Sequence, residues 1–315
     1  MTVLIIRRLL IGVLVLLIIS AIIFLATQTL PGDAAQAILG RQATPERLAA
    51  LRTQLHLDQP ALMQYLSWLH GVVTLDFGNS LANGRAVVDV IGPLFRNSVV
   101  LMLAAAIIGT PIALLLGAWS ALQRDRVADH AVAFFTLVFA AVPEFVVGMI
   151  LVIVFATGVL NWLPAVYVGT GPAWSQPSQL VLPAITLALS VGPYIVRSMR
   201  ATMLEVLESQ YVQQARLKGV RERTVLLRHG LPNALGPVVQ VVALQLAYMM
   251  GGAVVVEFLF RYPGIGNALV DAVANRDLPV IQFLTLIIAA ITVGVNLLAD
   301  VIGLLANPKV RTAGK

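Results

Sequence analysis

The chain contains no cysteine, only three lysines, and few charges of either sign. Without cysteine there is no disulfide framework, no thiolate nucleophile and no thiolate metal site. The histidines, His56, His70, His130 and His229, have no spacing that puts two on one helical face as metal ligands. None of Lys218, Lys309 and Lys315 is followed by Ser or Thr, so the chain lacks a phosphate loop of the Gly-rich Lys-Ser/Thr type. Ser, His and acidic residues form no recognisable hydrolase motif. Charged residues make up 11% of the chain, against about 25% in an ordinary globular domain. Water is therefore not its main solvent.

Apolar residues make up 59% of the 315 positions. They gather in charge-free runs at 9–32, 97–123, 145–196, 230–256 and 278–299. Each is long enough to span a bilayer, which needs about 20 mostly apolar residues in helix because hydrocarbon satisfies no backbone polar group. The third run is too long for one span, and Asn161, Trp162, Pro164, Gly169, Gly171, Pro172, Ser175, Gln176 and Pro177 divide it with a polar, Pro/Gly-rich loop. Its first helix starts near Ala131 and so contains Glu144. The expected spans are 9–27, 98–121, 131–157, 180–199, 235–256 and 280–306.

Charge placement orients them. With the N-terminus inside, the inner segments hold 14 of the 21 basic residues, among them Arg7, Arg8, Arg124, Arg126 and the cluster from Arg216 to Arg228. The positive-inside rule then puts both termini in the cytoplasm. The net charge of +6 is accounted for by this asymmetry rather than by nucleic acid. Arg7 and Arg8 before an apolar run, with Ala35-Gln36-Ala37 beyond it, resemble a signal peptide. The run is longer than a signal core, and an uncleaved anchor is the expectation.

Two loops carry local signals. In the outer one, Thr44-Pro45-Glu46 supplies a cap, a first-turn proline and an acid at the positive dipole end, ahead of Leu48, Leu51 and Leu55. After Asp58, Leu62, Tyr65, Leu66 and Leu69 predict a second short helix with one apolar face, for the membrane surface or a partner. In the inner loop, 200–234, Met203, Leu207, Tyr211 and Ala215 recur every four residues and predict an amphipathic continuation of span four. Gly219 ends it in a left-handed cap, a further turn or two follows over Arg221 to Arg228, and Pro232 sets how span five leaves the loop.

The inner loop reads Gln213-Gln214-Ala215, three residues, Gly219, nine residues, His229-Gly230-Leu231-Pro232. It resembles the EAA loop of binding-protein-dependent importer permeases: Glu-Ala-Ala, three residues, Gly, nine residues, Ile-x-Leu-Pro. Spacing agrees throughout; Gln213, Gln214 and His229 depart from the family residues. The likeness extends along nearly the whole chain: Arg7-Arg8-Leu9-Leu10, Leu30-Pro31-Gly32-Asp33, Leu57-Asp58-Gln59-Pro60, Pro143-Glu144-Phe145 with Gly148, Trp162-Leu163-Pro164, Leu182-Pro183-Ala184, Gly251-Gly252, Val256-Glu257, and Tyr262-Pro263-Gly264-Ile265-Gly266. It is similar to the peptide and nickel branch, and the long outer loop to the first of the two permeases in dipeptide and oligopeptide importers.

That resemblance implies an all-α, six-helix membrane subunit of the type I ABC importer (MetI-like) kind, in a bacterial inner membrane, that does no chemistry. It implies an anchor helix at 1–30, an outer loop at 31–97, a permease core at 98–306 and a tail at 307–315. It further implies a second homologous permease, two ATPase subunits that bind ATP and Mg, and an extracytoplasmic solute-binding protein. Gln213, Gln214, Ala215, Gly219, His229, Leu231 and Pro232 would form the ATPase-coupling element. Pro143 and Glu144 are candidates for the translocation path, with a hydrated kink as the alternative. Glu257 and Asp300 are expected in boundary or interhelical hydrogen-bonding roles. The alternatives are an ion-gradient-driven transporter, for which no internal repeat is found, and an intramembrane enzyme built on Glu144, Glu257 and Asp300.

Overall fold

A computed structural model of the chain describes residues 2–28, 44–54, 58–169 and 171–306. The expectations for 30–33, 35–37, Leu55, Leu57, the Asp300 side chain and the tail 307–315 lie outside the described residues. In order come α1 (Thr2–Gln28), α2 (Pro45–Gln54), α3 (Ala61–Thr74), α4 (Val87–Leu122), α5 (Val127–Ala141) and α6 (Glu144–Val152). Then follow α7 (Pro177–Glu208), α8 (Gln210–Leu217), α9 (Glu222–Leu259), α10 (Ile265–Asn275) and α11 (Leu278–Ala306).

Five helices are long and apolar enough to cross a membrane, and α5 with α6 makes a sixth, broken span. The outward surface matches that role: Leu10, Ile107 and Leu115 are each about two-thirds exposed, a cost in water but not in lipid. Helix α7 is the hub, packed against α4, α5, α6 and α9. Leu101, Leu182, Leu187, Met249 and Val256 close the core between them. Small residues let α4 approach α7: a Cβ on Gly109 would lie 2.6 Å from Ala188 Cβ, and one on Gly117 2.5 Å from the Val196 carbonyl oxygen. Van der Waals contact at such seams holds helices together where lipid offers no hydrophobic drive. Helix α1 stands at the edge, against α11.

Three expectations need correction. The third span is not one helix: α5 and α6 meet at 107°. Val142 (φ −90°, ψ 127°) and Pro143 (φ −57°, ψ 143°) are both extended, as the steric clash of a proline ring with its predecessor demands. Nor does span four run on to Gly219; it stops at Ser209 (φ −65°, ψ 149°), whose hydroxyl turns back to the Val206 carbonyl. Pro232 opens no exit from a loop. It lies within α9, just after a π-helical stretch at Val225–Gly230. Lacking an N–H, it leaves a carbonyl of the preceding turn without its usual donor, and the Asn233 side chain donates to the His229 carbonyl at 2.6 Å.

The outer helices form as the sequence predicts. Thr44 Oγ1 accepts from the Arg47 amide at 3.3 Å and caps α2. On α3 it is Tyr65 and Trp68 that turn inward, stacking with Phe24 of α1. Leu62 and Leu66 stay exposed, so the expected single face is split in two.

Candidate coupling element and translocation path

The inner element is a short helix, a glycine reversal and the start of α9. Its first turn is tied to α7: the Gln213 amide donates to the Ser209 carbonyl at 3.1 Å, and its side chain donates to the Glu208 carbonyl at 3.0 Å. Gln213 thus bridges the Ser209 break without any charge. At the other end, the Gly219 amide donates to the Arg216 carbonyl at 2.9 Å and the Val220 amide to the Ala215 carbonyl at 3.2 Å. These are the two bonds of a Schellman cap, and Gly219, at φ +75°, occupies the left-handed position such a cap needs.

Across the reversal, Arg216 donates twice to Glu222, at 3.1 and 2.6 Å. The fork raises the affinity of the Arg216 guanidinium for its proton. Sequence reasoning did not find this pair, although opposite charges on either side of Gly219 were its signal. Val212 and Val225 are fully buried, α8 packs on the π-helical stretch, and Leu231 and Leu207 pack against Met199, Met203 and Ala234. Ala215 and His229 are half-buried, while Gln213, Gln214, Gly219 and Pro232 are exposed. The candidate residues therefore share one packed element that exposes Gln213, Gln214 and Gly219 before the reversal and Pro232 after it.

Beside it lies a cluster that one-dimensional reading missed. Asp129 of α5 is buried and accepts from Arg200 of α7 at 2.6 Å on each carboxylate oxygen. Ser120 of α4 adds a bond at 2.6 Å and the Asp125 amide one at 3.1 Å. Arg124 in the α4–α5 turn pairs with Glu208 at the end of α7; that contact raises the Arg124 proton affinity. Three helices are thus fastened where α7 gives way to α8.

The other candidates, Pro143 and Glu144, border a cavity of about 530 Å³ at the α5–α6 break, which Ser190, Tyr194, Gln245 and Tyr248 also line. Glu144 is half-buried, and among the described residues no hydrogen bond or ion pair engages its carboxylate. Its carboxylate lies above α9: a Cβ on Gly252 would sit 3.8 Å from Oε1.

Glu257 is fully buried at the outer end of α9 in the interhelical role expected of it. It accepts from Ser98 Oγ of α4 at 2.5 Å and from the Gly266 amide of α10 at 2.7 Å. Ser98 Oγ accepts in turn from the Ile265 amide at 2.9 Å. The next loop is held by Tyr262, whose hydroxyl donates to the Asn97 carbonyl at 2.9 Å; burial pushes that phenol's pKa up. Among the described residues no group of three His, Cys, Asp or Glu is placed to hold a metal.

Comparison with known proteins agrees with this architecture. Residues 109–312 match the family described as binding-protein-dependent transport system inner membrane component, and residues 1–109 match its N-terminal membrane component. The chain is 36% identical over 307 residues to the glutathione transport system permease protein GsiC of Escherichia coli strain K12, and 35% identical to that of Salmonella typhi, covering 98% of each chain. The chain belongs to the family of binding-protein-dependent inner membrane components: it is a multi-pass, non-catalytic permease subunit of an ABC importer that works with an ATPase and a solute-binding protein.

Proposed function

We propose that this subunit forms half of a translocation pathway for peptide-sized solutes, the other half coming from a second homologous permease. Two ATP-binding subunits hold ATP and Mg, and one of them docks on the inner element of this chain, at the exposed Gln213, Gln214, Gly219 and Pro232, with Ala215, His229 and Leu231 forming its packed base. The path runs past Pro143 and Glu144. Residues 1–30 serve as anchor, 31–97 as the outer segment that meets the solute-binding protein, 98–306 as the permease core and 307–315 as a tail. An ion-gradient-driven transporter, the alternative at the level of sequence, gives way to the family assignment.

The observation that carries the docking reading is the Schellman reversal at Gly219, locked by the Arg216–Glu222 fork. It gives a charged, exposed element a fixed shape, as a surface that transmits force requires. The glutathione named for the relatives makes small γ- or α-linked peptides the first solutes to try. The test is ATP hydrolysis by the reconstituted complex with its binding protein and glutathione. Solute-stimulated turnover that disappears when this chain is omitted supports the reading. Turnover indifferent to this chain overturns it.

A further inference from the structure

The 530 Å³ cavity at the α5–α6 break has one charged side chain in its lining, Glu144, and no basic one. A carboxylate in a membrane span is costly and is met by water, a partner or a cation. No partner comes from the described residues. The position of the carboxylate is built rather than incidental: Val142 and Pro143 break the span and begin α6 at Glu144, in a first turn whose peptide dipoles stabilise negative charge. A side chain at Gly252 would lie in ordinary contact with this carboxylate, its Cβ 3.8 Å from Oε1.

The remaining polar lining consists of neutral groups and aromatic rings. Ser190 and Gln245 supply acceptors. Tyr248 is 78% exposed and adds a ring whose π-face attracts cations. The Tyr194 ring carries the Arg197 guanidinium at 5.3 Å, and Arg197 itself is not among the lining residues. A cavity of one charge sign concentrates the opposite sign.

We propose that this cavity is a cation subsite on the translocation path, one that takes protonated amines, including the free amino end of a peptide-like solute. The inference rests on the reading of Pro143 and Glu144 as path residues and adds to it the charge selected. As the solute passes, its ammonium exchanges water for the Glu144 carboxylate and the Tyr248 ring, and leaves without any covalent step.

The native absence of cysteine permits a test that needs no knowledge of the natural solute. In the assembled complex with a Gly252→Cys subunit, the new thiol lies next to Glu144. Its modification is followed on this chain with a trimethylammonium-bearing and a sulfonate-bearing methanethiosulfonate. The cationic-to-anionic rate ratio should fall about tenfold when Glu144→Gln is added, and should be retained with Glu144→Asp. Should Glu144→Gln prevent assembly, ethylammonium must slow a neutral methanethiosulfonate at the Gly252→Cys thiol with Glu144 intact, whereas propionate must not.

If both charged reagents react and their ratio ignores Glu144, or if ethylammonium has no more effect than propionate, the cation subsite is overturned and the path reading stands. If no reagent reaches the thiol in any nucleotide state, the cavity is closed to water and both readings fall.

Discussion

Arg200 grips both carboxylate oxygens of Asp129 at 2.6 Å, joining the inner ends of α5 and α7. Asp129 is 2% exposed and Arg200 31%, so removing the acid leaves a partly buried guanidinium without its partner. Asp129→Ala is expected to cost about 2–3 kcal/mol, less than the loss from a fully buried pair because Arg200 reaches water. Thermal unfolding of the detergent-purified complex measures this. Arg124→Ala, which breaks an exposed pair, should leave thermal stability essentially unchanged.

At Gly219 the obstacle to substitution is backbone angle, since a Cβ there meets nothing within 4 Å. Gly219→Val forces a β-branched residue to φ +75°, about 1–2 kcal/mol of strain or more, which reshapes the element. Gly219→Asn tolerates that region. If the element docks the ATPase, the valine variant inserts in the membrane but loses most uptake, and the asparagine variant keeps most of it. Equal uptake by the two would dismiss a shape-dependent role.

Gly117 presents the opposite case. A Cβ there would fall 2.5 Å from the Val196 carbonyl and 2.8 Å from Met199 Cβ, and backbone cannot step aside as a flexible side chain can. Gly117→Ala should cost about 1–3 kcal/mol by forcing α4 and α7 apart. Lower thermal stability, with faster protease cleavage in the α4–α5 turn, is the expected readout.

Glu257→Ala would leave the Gly266 amide and the Ser98 hydroxyl without their shared acceptor, a loss of about 1–3 kcal/mol. The damage should be local to the start of α10. Hydrogen exchange by mass spectrometry should quicken over 262–268 and remain unchanged over α1. Uniform quickening throughout would mean that Glu257 holds more than this corner.

Legibility in the sequence followed the range of the interaction. Six crossings could be read because a bilayer imposes a length on every charge-free run. The Gly219 cap could be read because its bonds span five residues. The α5–α6 break had a local signal in Val142-Pro143, enough to raise a kink at Pro143 and Glu144 as an alternative but not a turn of 107°. The single apolar face expected on α3 was split because Tyr65 found an aromatic partner, Phe24, 41 positions away. Asp129 and Arg200 are 71 residues apart, and Ser98 and Glu257 159 apart; nothing in one dimension brings them together. For the site, the inner element's outline was written in its glycine and proline spacing, whereas the Glu144 cavity depends on four helices converging.

Helix α9 runs for 38 residues, through the π-helical stretch at Val225–Gly230, from Glu222 in the Gly219 reversal to the outer corner that holds Glu257. At 1.5 Å per residue it is a rod of about 57 Å. One degree of rotation about its inner end displaces its outer end by about 1 Å, enough to take a hydrogen bond such as Glu257 to Gly266 from good geometry to broken. The helix thus has the proportions of a lever between the inner reversal and the outer corner.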